Sequence, residues 1–250
     1  MMTQKDLLFR QFQIRKYDRK RIVPAVNMTV EIAMDRMLEF RNELNAASGE
    51  TNTHITINHF ILKAIADSLK RYPALYSYFY RNKIVPNDEI VFNVPVDIES
   101  HVEYIVIHHP DTKSFTEISA ECEKEVKLIR AGKGSNMEFI NFLPHLPFLT
   151  KIGYLFNPKK VYSFMDEKYG NFPVSNFGTF RLKSGNITIT SPIIGGVCIG
   201  SIKKEATGSF VLLTLTFDHR ALDGAYGAKF LNDVKAKLEH PELEFIDKHE

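Results

Sequence analysis

An α+β domain, a mixed β-sheet covered by helices, is the fold class that this 250-residue sequence predicts, and three observations predict it. Ile57, Phe60, Ile61, Ala64, Ile65 and Leu69 recur at helical spacing and form one apolar stripe. Residues 210–217, FVLLTLTF, are apolar at nearly every position, the pattern of a central strand buried on both faces. Helical and strand patterns alternate along the chain with no repeat, low-complexity tract or Pro/Gly/Ser-rich linker, so a single domain over 1–250 is expected, built as helices layered on a sheet.

The elements follow in order. Residues 1–20 form an N-terminal arm. Residues 22–32 alternate apolar and polar after Pro24 and predict a strand. Met34, Met37, Leu38, Arg41 and Leu44 stand at helical spacing within 34–47. The helix over 56–72 takes Thr56 as its N-cap and stops at Pro73. Strands with a turn near Asn82 fill 75–97, and VEYIVIH at 102–108 is another strand. Ser114 with Glu117 three positions later is a capping-box pattern, opening a helix that runs to near Gly132. Residues 133–171 form an enlarged apolar loop or helical insertion, whose most apolar part, 137–166, predicts one or two short helices broken by prolines. Strands are predicted at 172–176, 186–191, 195–203 and 209–217, and a final helix at 224–238.

Composition removes several function classes. A net charge of +2, with basic residues spread along the chain, is too mild for nucleic-acid binding. No stretch reaches the length of apolar residues a membrane helix needs, and MMTQKDLLFR at the N-terminus lacks the apolar centre of a signal peptide. Cys122 and Cys198 stand too far apart in the sequence for a disulfide framework, which points to a reducing, cytoplasmic setting. Both are expected to be inert, Cys122 in a helix and Cys198 as a small core residue. His108 and His109 sit on a strand, where adjacent side chains face opposite ways, so no metal site is expected there. The basic runs RKYDRKR and GSIKK are expected to be solvated surface, with contact to the phosphates of a ligand as the alternative.

The stretch that carries chemistry is DHRALDG, Asp218–Gly224, where the most buried strand ends and the last helix begins. Such junctions expose side chains on a rigid rim. An imidazole can take a proton from a thiol or hydroxyl at neutral pH, and His219 supplies one in this stretch. Asp223 stands where it could cap the helix, and Gly224 gives the backbone room to turn. The plain alternative is a hydrogen-bonded core histidine and a capping aspartate.

DHRALDGAYGAKFL resembles the catalytic core of the dihydrolipoyl acyltransferases of 2-oxoacid dehydrogenase complexes, whose pattern is DHRxxDG before an alanine-rich helix. The spacing of His, Asp and Gly is shared with chloramphenicol acetyltransferase and peptide-synthetase condensation domains. PVSNFGTF at 173–180, SPIIGGVCIGSI at 191–202, ITINHFILKAIADSL at 55–69 and TKSFTEIS at 112–119 also match, in the family's order. The resemblance implies a chloramphenicol acetyltransferase-like two-layer sandwich. It implies an acyltransferase that moves an acyl group between coenzyme A and a thiol such as that of dihydrolipoamide. His219 matches the family's base, Ser175 the serine that stabilises the tetrahedral oxyanion, and Asp223 an aspartate held in an ion pair, with Arg15 or Arg19 as candidate partners. It further implies a homotrimer, with the histidine and serine of each site on neighbouring subunits. The residues that would bind coenzyme A are not assigned by the resemblance.

The sequence departs from the family in starting at the catalytic core, with no lipoyl or subunit-binding domain, as a stand-alone form. A lipoyl-bearing protein acting in trans, or another small-molecule acceptor, is then expected. Residues 97–107 lack the family's glycine-containing turn, and the charged end LEFIDKHE speaks against a cage beyond the trimer. Two other functions compete: a chloramphenicol-type O-acetyltransferase of a small hydroxyl acceptor, and a non-catalytic trimeric scaffold.

Overall fold

A computed structural model describes residues 22–47, 55–97, 102–131, 133 and 166–245, and the chain forms one seven-stranded mixed sheet with helices against one face. β1 (Ala25–Ala33) leads into α1 (Asp35–Ala47) and α2 (Ile57–Leu69). A short hairpin, β2 (Tyr78–Tyr80) and β3 (Lys83–Val85), precedes β4 (Val91–Asp97) and β5 (Val102–His108). α3 (Phe115–Arg130) follows, then β6 (Phe172–Asn176), β7 (Gly195–Ile199), β8 (Lys203–Glu205) and β9 (Gly208–Asp218). α4 (Gly224–Glu239) and α5 (Pro241–Phe245) close the described chain. The order across the sheet is β1-β9-β7-β6-β4-β5, with β8 added on β9. β6 is parallel to β4 and β7, whereas β9 runs antiparallel to both of its long neighbours, β1 and β7. None of the described helices is long and apolar enough to cross a membrane.

Local chemistry explains most boundaries. Ser114 donates its backbone N–H to Glu117 Oε2 at 2.7 Å, and its hydroxyl accepts from the Glu117 N–H, so two orphan groups at the start of α3 are satisfied. At α2 the Thr56 N–H donates to Nδ1 of His59 at 3.2 Å. Arg81 and Asn82 both take positive φ, 48° and 60°, which is the two-residue turn whose twist suits a hairpin.

β9 shows why the sheet has two unlike faces. Val211, Leu213, Leu215 and Phe217 belong to the helix-side core, with Phe60, Phe172 and Phe230 fully buried beside them. The alternate residues Thr214 and Thr216 face the other way and bond to β1: Thr214 with Thr29 at 2.9 Å, and Thr216 donating to Asn27 at 2.7 Å.

Two predicted strands come out differently. Residues 186–191 form no strand; only Thr190 makes an isolated bridge, to Ile22. The segment is a strap across the outer face of the sheet, where Ile187 lies so close to Gly196 that a Cβ there would meet its Cδ1 at 2.6 Å. The alternating isoleucines are satisfied by packing on the sheet instead of by a ladder. The predicted strand 195–203 is broken after Ile199, and only its last residue, Lys203, falls in a strand again, as the first residue of β8. The arm 1–20 and residues 134–165 of the 133–171 segment lie outside the described residues.

A polar joint ties the chain entering β6 to the start of β4. Asn171, fully buried, accepts from the Val91 N–H and donates to the Glu89 carbonyl, while the Asn93 amide donates to the Tyr169 carbonyl. Asp166 accepts from the Asn87 amide, and burial pushes its carboxyl up to about 7. The folded protein therefore holds this proton across a window in which the unfolded chain has lost it, from about pH 4 upward. Stability is lost as pH rises through that window. Asp166→Asn is expected to be more stable than wild type at pH 8 by roughly 1–3 kcal/mol, with the gain shrinking to nothing near pH 4, in urea unfolding followed at several pH values.

Candidate active site

β9 extends one residue beyond its predicted end and carries Asp218, which is fully buried, into the turn. The turn is fastened at several points. Asp218 N–H donates to the Ile194 carbonyl at 2.8 Å, and the His219 N–H to the Pro24 carbonyl at 2.9 Å. The Asp218 carbonyl accepts from Ala221 and Leu222. Its carboxylate receives the backbone N–H of Arg220 and a forked bond from the guanidinium, with Nη2 at 2.6 Å from Oδ2. The arginine is the one cation on that carboxylate among the described residues, and the same bond raises the guanidinium pKa further.

His219 stands on the exposed rim beyond this turn. Its Nδ1 lies 3.0 Å from the Leu222 carbonyl. A carbonyl only accepts, so Nδ1 must carry the proton and Nε2 is left with its lone pair. The chain itself thus selects the tautomer in which the outer nitrogen can take a proton.

Asp223 occupies the N-cap position of α4 with extended backbone, φ −94° and ψ 156°, yet its carboxylate makes no capping bond. The expectation of a side-chain cap is corrected: only its backbone carbonyl engages the helix, accepting from Tyr226 at 3.0 Å. The carboxylate is exposed. Arg15 and Arg19, its candidate partners, lie outside the described residues. Gly224 needs correcting too, since a Cβ there would meet nothing within 4 Å. The glycine that packing requires is Gly227, where a Cβ would come within 2.9 Å of the Phe217 ring and 3.1 Å of Leu215, because α4 lies directly on β1 and β9.

Ser175 lies on β6, 8% exposed, opposite Cys198 on β7. Among the described residues its hydroxyl has no hydrogen-bond partner. The turn after it belongs to Asn176, whose Oδ1 accepts from the Gly178 N–H and whose amide donates to Asn58 on the first turn of α2, both at 2.8 Å. Asn176 and Asn58 thereby pin the end of β6 to α2. Neither was singled out by sequence reasoning, nor was the Asp218–Arg220 pair, although Asn176, Asp218 and Arg220 sit inside the quoted motifs.

One chain does not bring His219 and Ser175 together. Ser175 is level with Cys198, which is level with Thr214 on β9. His219 is five residues further along and two strands across, so the two Cα positions are roughly 19 Å apart at about 3.4 Å per residue and about 4.8 Å per strand. Two side chains with a thioester between them do not span that gap.

The other candidates carry less. Burial pushes the Cys122 thiol up to about 12 and the Cys198 thiol up to about 11, so neither offers a thiolate near neutrality. His108 ends β5, while His109 leaves the strand with φ 47° and points its Nε2 to within 3.7 Å of Glu89.

The profile of the 2-oxoacid dehydrogenases acyltransferase (catalytic domain) family matches residues 15–141 and 159–246. The unmatched stretch, 142–158, falls within the 133–171 segment. The dihydrolipoyllysine-residue acetyltransferase component of the pyruvate dehydrogenase complex of Rickettsia typhi is 26% identical over 241 residues, which cover 93% of this chain and 53% of that protein. The chain spans about half the length of the curated relatives it matches. The cubic core of the pyruvate dehydrogenase multienzyme complex shares the fold, with TM-score 0.75 at 18% identity, covering 97% of this chain and 91% of that one. Chloramphenicol acetyltransferase does so more distantly, with TM-score 0.53 at 14% identity and coverage of 94% and 95%. The fold is therefore the chloramphenicol acetyltransferase-like α+β sandwich.

The two glycines of the last helix give a paired prediction. Gly224→Ala is expected to leave urea unfolding unchanged or slightly improved, because alanine favours a helix and meets open space. Gly227→Ala is expected to cost roughly 1–3 kcal/mol by forcing α4 off the sheet.

Proposed function

Because the chain belongs to the 2-oxoacid dehydrogenase acyltransferase family, matching its catalytic domain, we propose that it moves an acyl group between coenzyme A and the thiol of dihydrolipoamide carried on a separate protein. His219 is the general base and Ser175 the oxyanion donor. What carries this reading is the bond from His219 Nδ1–H to the Leu222 carbonyl, which leaves Nε2 as a proton acceptor on an exposed rim.

The chemistry follows from that atom. Nε2 takes the proton of the attacking thiol, which at its ordinary pKa is mostly protonated at neutral pH. The sulfur attacks the thioester carbonyl, and the tetrahedral oxyanion accepts a hydrogen bond from the Ser175 hydroxyl. Collapse breaks the other carbon–sulfur bond, and the departing thiolate recovers the proton from the imidazolium. Coenzyme A and the lipoyl group are both substrates in this scheme. Asp223, whose exposed carboxylate stands at the N-terminus of α4, orders the loop in this scheme.

The site is completed by a second copy. His219 leaves one end of the sheet and Ser175 lies toward the other, so a head-to-tail contact sets the imidazole of one chain beside the hydroxyl of the next. Head-to-tail contacts must close in a ring to be finite, and a homotrimer is the ring we propose.

The test is a thiol-transfer assay with acyl-coenzyme A and dihydrolipoamide. His219→Ala is expected to lose about 10²–10⁴-fold in kcat, and Ser175→Ala about 10²–10³-fold. When the two inactive chains are co-expressed, random mixing in a head-to-tail ring leaves about a quarter of the sites with both residues intact. Activity near that fraction of wild type is expected. A mixture as inactive as its components refutes the shared site, and equal rates for wild type and His219→Ala remove the base.

A further inference from the structure

We infer that Arg220 is a positioning residue for His219: its forked bond to buried Asp218 and its stacking on the Phe79 ring hold the turn that aims the imidazole. The inference rests on the reading of His219 as base and concerns how that ring is held.

A chain of bonds runs from the guanidinium to the ring. Arg220 Nε lies 3.0 Å from Asp218 Oδ1 and Nη2 lies 2.6 Å from Oδ2. Asp218 is fully buried, while the arginine side chain is 44% exposed. The Asp218 carbonyl receives the Ala221 and Leu222 N–H groups at 3.0 and 3.2 Å, which closes the turn. Leu222 then presents its carbonyl to His219 Nδ1. The direction of the ring therefore depends on a turn whose anchor is a buried carboxylate. A buried carboxylate is tolerable only when paired, and removing its partner leaves a charge that the turn must open to hydrate.

The outer face of Arg220 has its own partner. Its guanidinium carbon lies 5.0 Å from the centre of the Phe79 ring on β2. Phe79 is itself fastened by donating its N–H to the Pro192 carbonyl at 2.8 Å, and Tyr78 bridges Ile193. Through this stack the β2–β3 hairpin, which is not part of the large sheet, becomes the outer brace of the turn. Lysine could supply the charge but neither the fork nor the planar face.

The experiment uses the full chain in its native assembly. Wild type is compared with Arg220→Met, Arg220→Lys and the double variant Asp218→Asn/Arg220→Met, which removes both charges. Three quantities are read: thermal midpoint, kcat and KM for thiol transfer, and the ¹⁵N resonances of His219, which report which ring nitrogen holds the proton. Arg220→Met is expected to lower kcat about 30- to 100-fold, with KM within about threefold, and to lose the Nδ1–H signature. Arg220→Lys falls between. The double variant is expected to regain the thermal midpoint without regaining kcat or the ring signature. That split is what a merely structural ion pair would not produce. An Arg220→Met protein with wild-type kcat and ring signature overturns the inference, and so does a double variant that regains kcat together with its midpoint. If Arg220→Met does not fold, Arg220→Lys and the double variant decide on the same criteria. A fully active His219→Ala chain refutes the function proposed above, while the ring signature in the Arg220 variants still decides this inference.

Discussion

Strand direction governs what this molecule can do. β9 runs against β7, and β7 runs with β6. A side chain leaving the C-terminal end of β9 therefore emerges where β6 and β7 begin, while Ser175 sits near where β6 ends. The ladder makes this arrangement hard to change, since a one-residue slip of β9 would turn Leu213, Leu215 and Phe217 out of the core and bring Thr214 and Thr216 into it. The hydrophobic pattern that folds the sheet thus also separates His219 from Ser175, the two groups assigned above to acyl transfer. On the function proposed above, a chain built this way meets its chemical requirement only through a neighbour, so that association would be part of the mechanism and not an addition to it.

The turn after β9 shows how much structure goes into one imidazole. Asp218 is the single carboxylate buried at the end of the strand, and burying a charge costs several kcal/mol unless partners replace its water. Its partners are one backbone N–H and one guanidinium. The benefit is a turn with a defined shape, closed by two N–H groups on the Asp218 carbonyl, in which Leu222 presents an acceptor to Nδ1. A freely rotating histidine would divide itself between tautomers and directions. This one is restricted by a backbone carbonyl, a neutral acceptor that leaves the ring free to gain a proton at Nε2 and release it again.

What could be read from the sequence was local. The start of α3 follows from Ser114 and Glu117, three residues apart, and β5 and β6 match their predicted spans residue for residue, because the interactions that define them lie within a few positions. The strap at 186–191 could not be read. Its alternating Ile187 and Ile189 are what a strand would show, and the difference is made by Gly196, which clears a place on the sheet for Ile187. His219 and Ser175 were legible as members of motifs, but their separation in one chain was implied only by the family resemblance and not by the residues themselves, since it needs the direction of three strands. The role of Asp218 with Arg220 was hidden although both are quoted in the motif, because the burial that makes the pair matter comes from strand β9 and the hairpin. Asp223 and Gly224 misled in the opposite way: a local rule for helix starts applied to them, and the fold left the carboxylate exposed and the glycine facing open space.

The outer face of the sheet gives a reason to look to Ser175 among several hydroxyls. Thr29, Thr214 and Thr216 also lie on that face, and Thr214 and Thr216, which are buried, would be costly if unpaired. They are paired, Thr29 with Thr214 and Thr216 with Asn27. A hydroxyl already donating to a protein acceptor can stabilise a transient oxyanion only by breaking that bond first, and the loss offsets the gain. Ser175 stands level with Cys198 and Thr214, and among the described residues its hydroxyl is uncommitted while its backbone is held by β7 and by the Asn176–Asn58 bond. A donor that is fixed in position and free in its hydrogen bond is what oxyanion stabilisation demands. On this face Thr216 meets the first condition only, Thr29 and Thr214 share one bond in which a single hydroxyl donates, and Ser175 meets both conditions.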